Sequence, residues 1–198
     1  MLGSMHSESW DIDPKHLGFV LARYKFVSKM LVGKKNVLEI GCGDTTGSRI
    51  VKSVVGHLEG IDLDGERMAS SPSKGTKWEI PTSVWNVIDA PLPRKFDAIY
   101  CLDVMEHINP DDEGKFLRHI TRMMTWNGTF IVGMPSLESQ VYASQGSKDH
   151  HVNTKTEQGL RDSLSQYFAN VFVFGMNDET LHTGFGALCH YRLAICCI

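Results

Sequence analysis

The chain of 198 residues is 42% hydrophobic and carries a formal charge of −3, enough for one domain with one good core and too little for two. Lysine and arginine are scattered without a long run, so a nucleic-acid partner, which needs a basic face, is disfavoured. Five cysteines without CxxC spacing point to free thiols in a reducing cytoplasm, and neither a membrane-length apolar run nor a signal peptide is visible.

Residues 1–14 read as a flexible polar segment, with Gly3-Ser4 ahead of Met5 looking like a vector scar, and a single domain is expected over 15–198. A helix begins after Pro14, with Leu17, Val20, Leu21, Tyr24, Val27 and Leu31 on one face and Gly33 suited to its C-terminal cap. Such a helix packs on a sheet as readily as it covers a ligand, so Arg23 and Tyr24 receive no role.

The stretch Asn36 to Gly47, N-V-L-E-I-G-C-G-D-T-T-G, organises the chain. Val37 to Ile40 suit a buried parallel strand, and the following helical pattern places Ile50, Val51, Val54 and Val55 on one side. Between them, Gly41 and Gly43 let the backbone turn sharply and approach a ligand. A dinucleotide fingerprint would place glycine where Thr46 stands, and its pyrophosphate would be repelled by Glu39 and Asp44. Those two acids suit instead a phosphate-free cofactor carrying an ammonium and a sulfonium. Asp62 ends the next strand, Leu58 to Asp62, about 20 residues on, where an acid takes ribose hydroxyls.

Leu63-Asp64-Gly65 leads to a short helix near Met68 and a polar loop over 70–75. A third strand is expected from Val84 to Ile88, with Asp89 placed either to accept from an adenine amine or to face solvent in a turn, and Ala90 beside the ring. Phe96 to Leu102 is the fourth strand, and Asp103 to His107 beyond its carboxyl end form the chemical centre. Asn109 caps a helix opened by Pro110, whose buried stripe is Phe116, Leu117, Ile120, Met123 and Met124. Gly128 ends that helix, and Thr129 to Met134 is the fifth strand. Residues 135–153 read as a long polar loop, followed by a capping box of Thr154 and Glu157 and a helix burying Leu160, Leu164, Tyr167 and Phe168. Strands Val171 to Phe174 and Ala187 to Ile195 close the chain.

From about Val37 to Ser136 the chain resembles the class I S-adenosylmethionine-dependent methyltransferases. The likeness rests on V-L-E-I-G-C-G, G-I-D-L-D, I-D-A-P-L-P with F-D-A-I-Y-C-L-D-V-M-E-H-I, and W-N-G-T-F-I-V-G-M-P, in order. It implies an α/β fold: a Rossmann-like sheet of seven mostly parallel strands, the last antiparallel, with helices on both faces and the leading helix on the cofactor side. It also implies S-adenosyl-L-methionine held by Glu39, Gly41, Cys42, Gly43, Thr45, Asp62, Leu63, Asp89, Ala90 and Leu102. Thr45 stands where relatives often carry a third glycine.

Methyl transfer from a sulfonium needs alignment, exclusion of water and, for a hydroxyl acceptor, a base. The groups on the active-side loops are Asp103, Glu106, His107, His150, His151, Asp178, Glu179 and His182. In one mechanism His107 or His151 is the general base, and Glu106 is counted with them as catalytic. In another, Asp103, Glu106, His107 and His151 hold a divalent cation such as magnesium, a set similar to E-x-x-E-H plus histidine in metal-using 2′-O-methyltransferases of small RNAs. The glutamate-histidine pair also resembles that of ubiquinone-pathway O-methyltransferases, and such a pair is purely structural in many methyltransferases. The tail from His151 onward resembles bacterial and phage methyltransferases of small molecules or sugars. The expected activity is O-methylation of a small polar or sugar-like acceptor, without nucleic acid or membrane. An N-methyltransferase and a non-catalytic cofactor-binding subunit stand as alternatives, and a homo-oligomer stays open.

Overall fold

Runs that are apolar on both sides dictate the centre of the molecule. In the computed structural model, which describes residues 2–198, β1 (Asn36–Ile40) and β4 (Phe96–Leu102) are buried on both faces, as central parallel strands are. Alternate residues feed two cores. Leu38, Ile40, Ile99 and Cys101 point to the side packed by α5 (Pro110–Met123). Val37, Ala98 and Tyr100 point to the side packed by α2 (Pro14–Met30) and α3 (Ser48–Lys52).

Flanking these are β2 (His57–Asp62), β3 (Thr82–Val84), β5 (Met124–Pro135), β6 (Asn170–Asn177), β7 (Thr180–His182) and β8 (Tyr191–Cys197). The eight strands form one sheet in the order β3-β2-β1-β4-β5-β8-β6-β7. Strands β1 to β5 are parallel, whereas β8 runs antiparallel between β5 and β6. This is the expected Rossmann-like arrangement with one strand more than the seven anticipated. The addition is β7, folded back on β6 through a turn in which Asp178 has φ +53.

Six local expectations are corrected. The supposedly flexible start contains α1 (Ser4–Ile12), a polar helix whose support comes from the glycine loop rather than from its own sequence. Its anchors are Gly3 N–H to Thr46 Oγ1 at 3.0 Å and the two bonds of His6 to Asp44. The third strand lies at 82–84 instead of 84–88, because Asp62 carbonyl accepts Trp85 N–H and the chain then turns. The 135–153 loop holds a 3-10 turn, Glu138–Tyr142, and α6 (Gln145–His150), and the next helix, α7 (Glu157–Leu164), is capped by Thr156 rather than Thr154. Last, α5 passes straight into β5 at Met124, so Gly128 lies within the strand, and the closing strand begins only at Tyr191.

The cap expected at Asn109 is present: its Oδ1 accepts Asp111 N–H at 3.0 Å ahead of Pro110. Replacing Asn109 with alanine is expected to cost about 1 kcal/mol of stability, read as an earlier midpoint in urea unfolding with an unchanged slope.

Candidate active site

Strands β1 and β4 end side by side, and the chain leaves each through a left-handed residue, Gly41 at φ +78 and Asp103 at φ +55. A cavity of about 590 Å³ opens there. A Cβ on Gly41 would fall into Val104, so glycine is required by space as well as by conformation. Gly43 N–H donates to Asp62 Oδ2 at 2.8 Å and Asp64 N–H to Asp62 Oδ1 at 2.9 Å, which fixes the carboxylate against the turn.

Of the residues expected around a cofactor, Gly41, Gly43, Asp62, Leu63 and Leu102 line this cavity, and Glu39, Cys42, Thr45, Asp89 and Ala90 do not. Glu39 is 1% exposed and accepts the Tyr24 hydroxyl at 2.9 Å. Burial pushes its carboxyl up to about 7, against nearby hydroxyls that pull it down. Glu39 therefore anchors α2, whose Tyr24 ring packs directly on Gly47. Cys42 is buried against Gly60, and the Thr45 hydroxyl is engaged with Ser71 and Ser73. Asp89 is exposed, while Ala90 carbonyl accepts Trp85 Nε1–H at 2.8 Å, so Asn86, Val87 and Ile88 form that wall.

Asp44 does not face the cavity either. It is fully buried, with Oδ1 bonded to His6 Nδ1 at 2.7 Å and Thr46 N–H at 3.0 Å, and Oδ2 to His6 N–H at 3.0 Å. Burial alone would raise its carboxyl, but these bonds prevail and hold it at about 2. With Glu39 and Asp44 both turned inward, Asp62 is the acid of that group that faces the cavity. Met5, His6 and Ser9 from α1 supply a wall that the sequence left unassigned, and His16, Val20, Arg23 and Tyr24 put α2 on the cavity side, as the resemblance implied for the leading helix.

Beyond β4 the groups separate. Asp103 is bound through both oxygens by Arg23 Nη1, at 3.0 and 2.8 Å, and the guanidinium lies 3.8 Å from the centre of the Tyr191 ring. Arg23 thus removes Asp103 from the four-residue metal set expected above. Glu106, His107 and His151 do converge, with one donor atom from each within 4.8 Å of the others. Glu106 is fully buried with neither oxygen bonded, and burial first, then the Asp103 charge, drive its carboxyl well above the ordinary range.

The two imidazoles have assignable protons. His107 Nδ1 lies 3.0 Å from His150 carbonyl, which only accepts, so Nδ1 carries the hydrogen and Nε2 the lone pair. For His151 the chain is longer: Gln140 Nε2 donates to Ser136 carbonyl at 3.2 Å, which leaves Gln140 Oε1 to accept His151 Nδ1–H at 2.9 Å. Nε2 of His151 is again the free acceptor. Burial and the neighbouring His107 lower its pKa. His150 contributes its carbonyl rather than its ring, and Asp178, Glu179 and His182 stand outside the cavity on the β6–β7 hairpin.

A protein-family model described as a methyltransferase domain matches residues 38–132. A probable S-adenosylmethionine-dependent methyltransferase of Mycobacterium tuberculosis is 26% identical over 130 residues, 64% of this chain and 45% of that protein. A ubiquinone biosynthesis O-methyltransferase of Burkholderia orbicola is 29% identical over 107 residues, 52% of this chain and 44% of that protein. The chain therefore spans under half the length of these curated relatives. Among solved structures, the N-methyltransferase NodS of Bradyrhizobium japonicum superposes with a TM-score of 0.65 at 16% identity, covering 94% of this chain and 98% of that one. At that identity the match speaks for the fold.

Because the folded-state carboxyl of Glu39 titrates near 7, its protonated form stabilises the fold at low pH, and that contribution is lost as pH rises through 7. Glu39→Gln removes the dependence, so the variant is expected to gain on the wild type by on the order of 3 kcal/mol between pH 4.5 and pH 8, as read from urea unfolding at each pH. A gap that stays flat across this range would mean that Glu39 is ionised throughout.

Proposed function

The chain belongs to the class I S-adenosylmethionine-dependent methyltransferases, and from that premise we propose that it methylates an oxygen of a small polar, sugar-like acceptor with His151 as general base. The observation that carries this reading is the neutral His151 ring, held by Gln140 with Nε2 free, on the wall of the cavity beside buried Glu106. As the acceptor oxygen closes on the methyl carbon, its proton passes to Nε2. S-adenosylmethionine, when bound, would supply the activated methyl group and leave as its neutral thioether product. Asp62, fixed by two amide bonds and retaining free lone pairs, is the group for ribose hydroxyls, and Gly41, Gly43, Leu63 and Leu102 form the bed beneath.

An adjoining cavity of about 360 Å³ supports the polar acceptor. It meets the first at His16, Pro135, Ser147 and His151 and is bounded further by Ser139, Gln140, Tyr142 and His190. Of its lining groups, His16, Ser139 and His190 can bond hydroxyls, while Pro135, Tyr142 and Ala143 add apolar surface on which the face of a sugar-like ring can rest. Among the described residues no helix is long and apolar enough to cross a membrane, and the five free cysteines, four of them buried, fit a reducing cytoplasm.

A divalent cation is the second reading, favoured by the donor set itself. Glu106 has two unbonded oxygens, and each imidazole presents one lone pair while its other nitrogen is held, as in metal-ligating histidines. Glu106, His107 and His151 would hold the ion, which would acidify an acceptor hydroxyl. Two imidazoles suit a softer ion than magnesium, and Asp103, paired with Arg23, is not among the ligands.

His151→Ala is expected to lower turnover by about 10²- to 10⁴-fold, with the affinity for S-adenosylhomocysteine in calorimetry changing less than about twofold. Tritiated methyl transfer into the small-molecule pool of an extract reads the rate. With a lowered His151 pKa, wild-type kcat/KM should hold down to the ordinary histidine range and fall only below it, as Nε2 takes up a proton. Undiminished turnover in a His107→Ala, His151→Ala double variant would point to a nitrogen acceptor, and tight cofactor binding with no transfer to any fraction would point to a binding subunit.

A further inference from the structure

We propose that Arg192, which borders neither cavity, is a positioning residue that sets the tautomer of His151 through Glu138 and Gln140. This rests on the reading of His151 as the base but adds residues to it. Arg192 lies on β8 with its side chain 1% exposed, a setting in which a guanidinium needs partners, and it finds them for Nη2 and Nε while Nη1 makes no hydrogen bond. Its partners come from three separate segments. Nη2 donates to Glu138 Oε2 at 2.7 Å and to Gly186 carbonyl at 3.2 Å, and Nε donates to Lys155 carbonyl at 3.3 Å. Glu157 on α7 stands 3.9 Å from Nη1. The guanidinium therefore ties both ends of the strap 136–157 to the sheet, and its planar fork makes contacts that one ammonium cannot reproduce.

Glu138 opens the 3-10 turn that carries Gln140. Ser136, on the other side of that turn, is held independently: its N–H donates to His190 carbonyl and its Oγ to Cys189 carbonyl at 2.6 Å. Gln140 is thus fixed between two anchors. Its amide nitrogen is committed to Ser136 carbonyl, and its oxygen can only accept from His151 Nδ1–H. If the Glu138 anchor is released, the turn is free to rotate, Gln140 Oε1 leaves Nδ1, and nothing keeps the ring from placing its hydrogen on Nε2. A His151 with hydrogen on Nε2 has no lone pair where the acceptor proton must go.

The strap has a second fastening, in which Asn153 Nδ2 at 2.6 Å, Lys155 Nζ at 2.8 Å and Ser163 converge on Glu113 of α5. That cluster fixes the strap beyond His151 and does not touch Gln140. Loss of the Arg192 anchor should accordingly disturb the ring's hydrogen without detaching the strap.

The test is two-bond proton–nitrogen correlation NMR of the His151 ring in the full chain, with signals assigned from their absence in His151→Gln. Wild type should show the Nδ1–H pattern. Glu138→Ala and Arg192→Lys should both lose it in favour of Nε2–H, as should Gln140→Leu, which supplies the reference spectrum. Methyl transfer should fall by up to about a hundredfold in both, while the affinity for S-adenosylhomocysteine moves less than about twofold. Retention of the Nδ1–H pattern in either folded variant overturns the proposal. If Arg192→Lys does not fold, Glu138→Ala, which alters a partly exposed side chain, decides alone. Failure of the wild type to bind S-adenosylhomocysteine would sink the methyltransferase reading while leaving the tautomer result to stand on its own.

Discussion

The molecule depends on a backbone constraint shared by two neighbouring strands. Parallel strands in register end at the same level, and here both β1 and β4 must turn out of the sheet at once to leave a gap between them. Each does so through a left-handed residue. At Gly41 the missing Cβ makes this cheap. At Asp103 it costs on the order of 1 kcal/mol, tolerated because aspartate is one of the side chains that visit this region. The conformation is held by Asp103 N–H to Gly133 carbonyl and by the fork of Arg23 on its carboxylate. That ion pair both secures the turn and decides which acids remain for chemistry.

Five carboxyl groups in or near the cavity have five different fates. Glu39 is buried with a tyrosine, Asp44 with a histidine, Asp62 with two backbone amides, Asp103 with an arginine and Glu106 with nothing. An unpaired carboxylate in a dry site is so costly that the group keeps its proton instead, whereas one given several donors stays ionised well below its usual range. Asp44 and Glu106 illustrate the two limits within one molecule, and the difference follows from partners and not from residue type.

Much of the frame was legible in the sequence because it rests on local rules. The glycine turn after β1, Asp62 at the end of β2, β4 with its switch-point segment and the Asn109-Pro110 start of α5 are all encoded within a few residues. What escaped depends on pairs far apart in the chain. Helix α1 has little amphipathic pattern and forms because His6 meets Asp44, 38 positions away. The same pair removes Asp44 from the cofactor, just as Arg23, 80 positions from Asp103, removes that acid from a metal set. Gln140 gave no signal at all, since an amide in a polar loop is unremarkable until Ser136 and His151 are placed on either side of it. Asp89 and Ala90 were misplaced by a strand that ends four residues early, a small error in register that moves a whole wall of the cavity.

The placement of α1 has a thermodynamic corollary. Met5, His6 and Ser9 are at once the inner surface of that helix and part of the chamber wall. Any occupant leaning on them strengthens the docking of α1 by the same free energy that the docked helix lends to the occupant, since linkage is reciprocal. Undocking of that helix and departure of the guest are then linked, and residence time in the chamber depends on how firmly His6 holds Asp44.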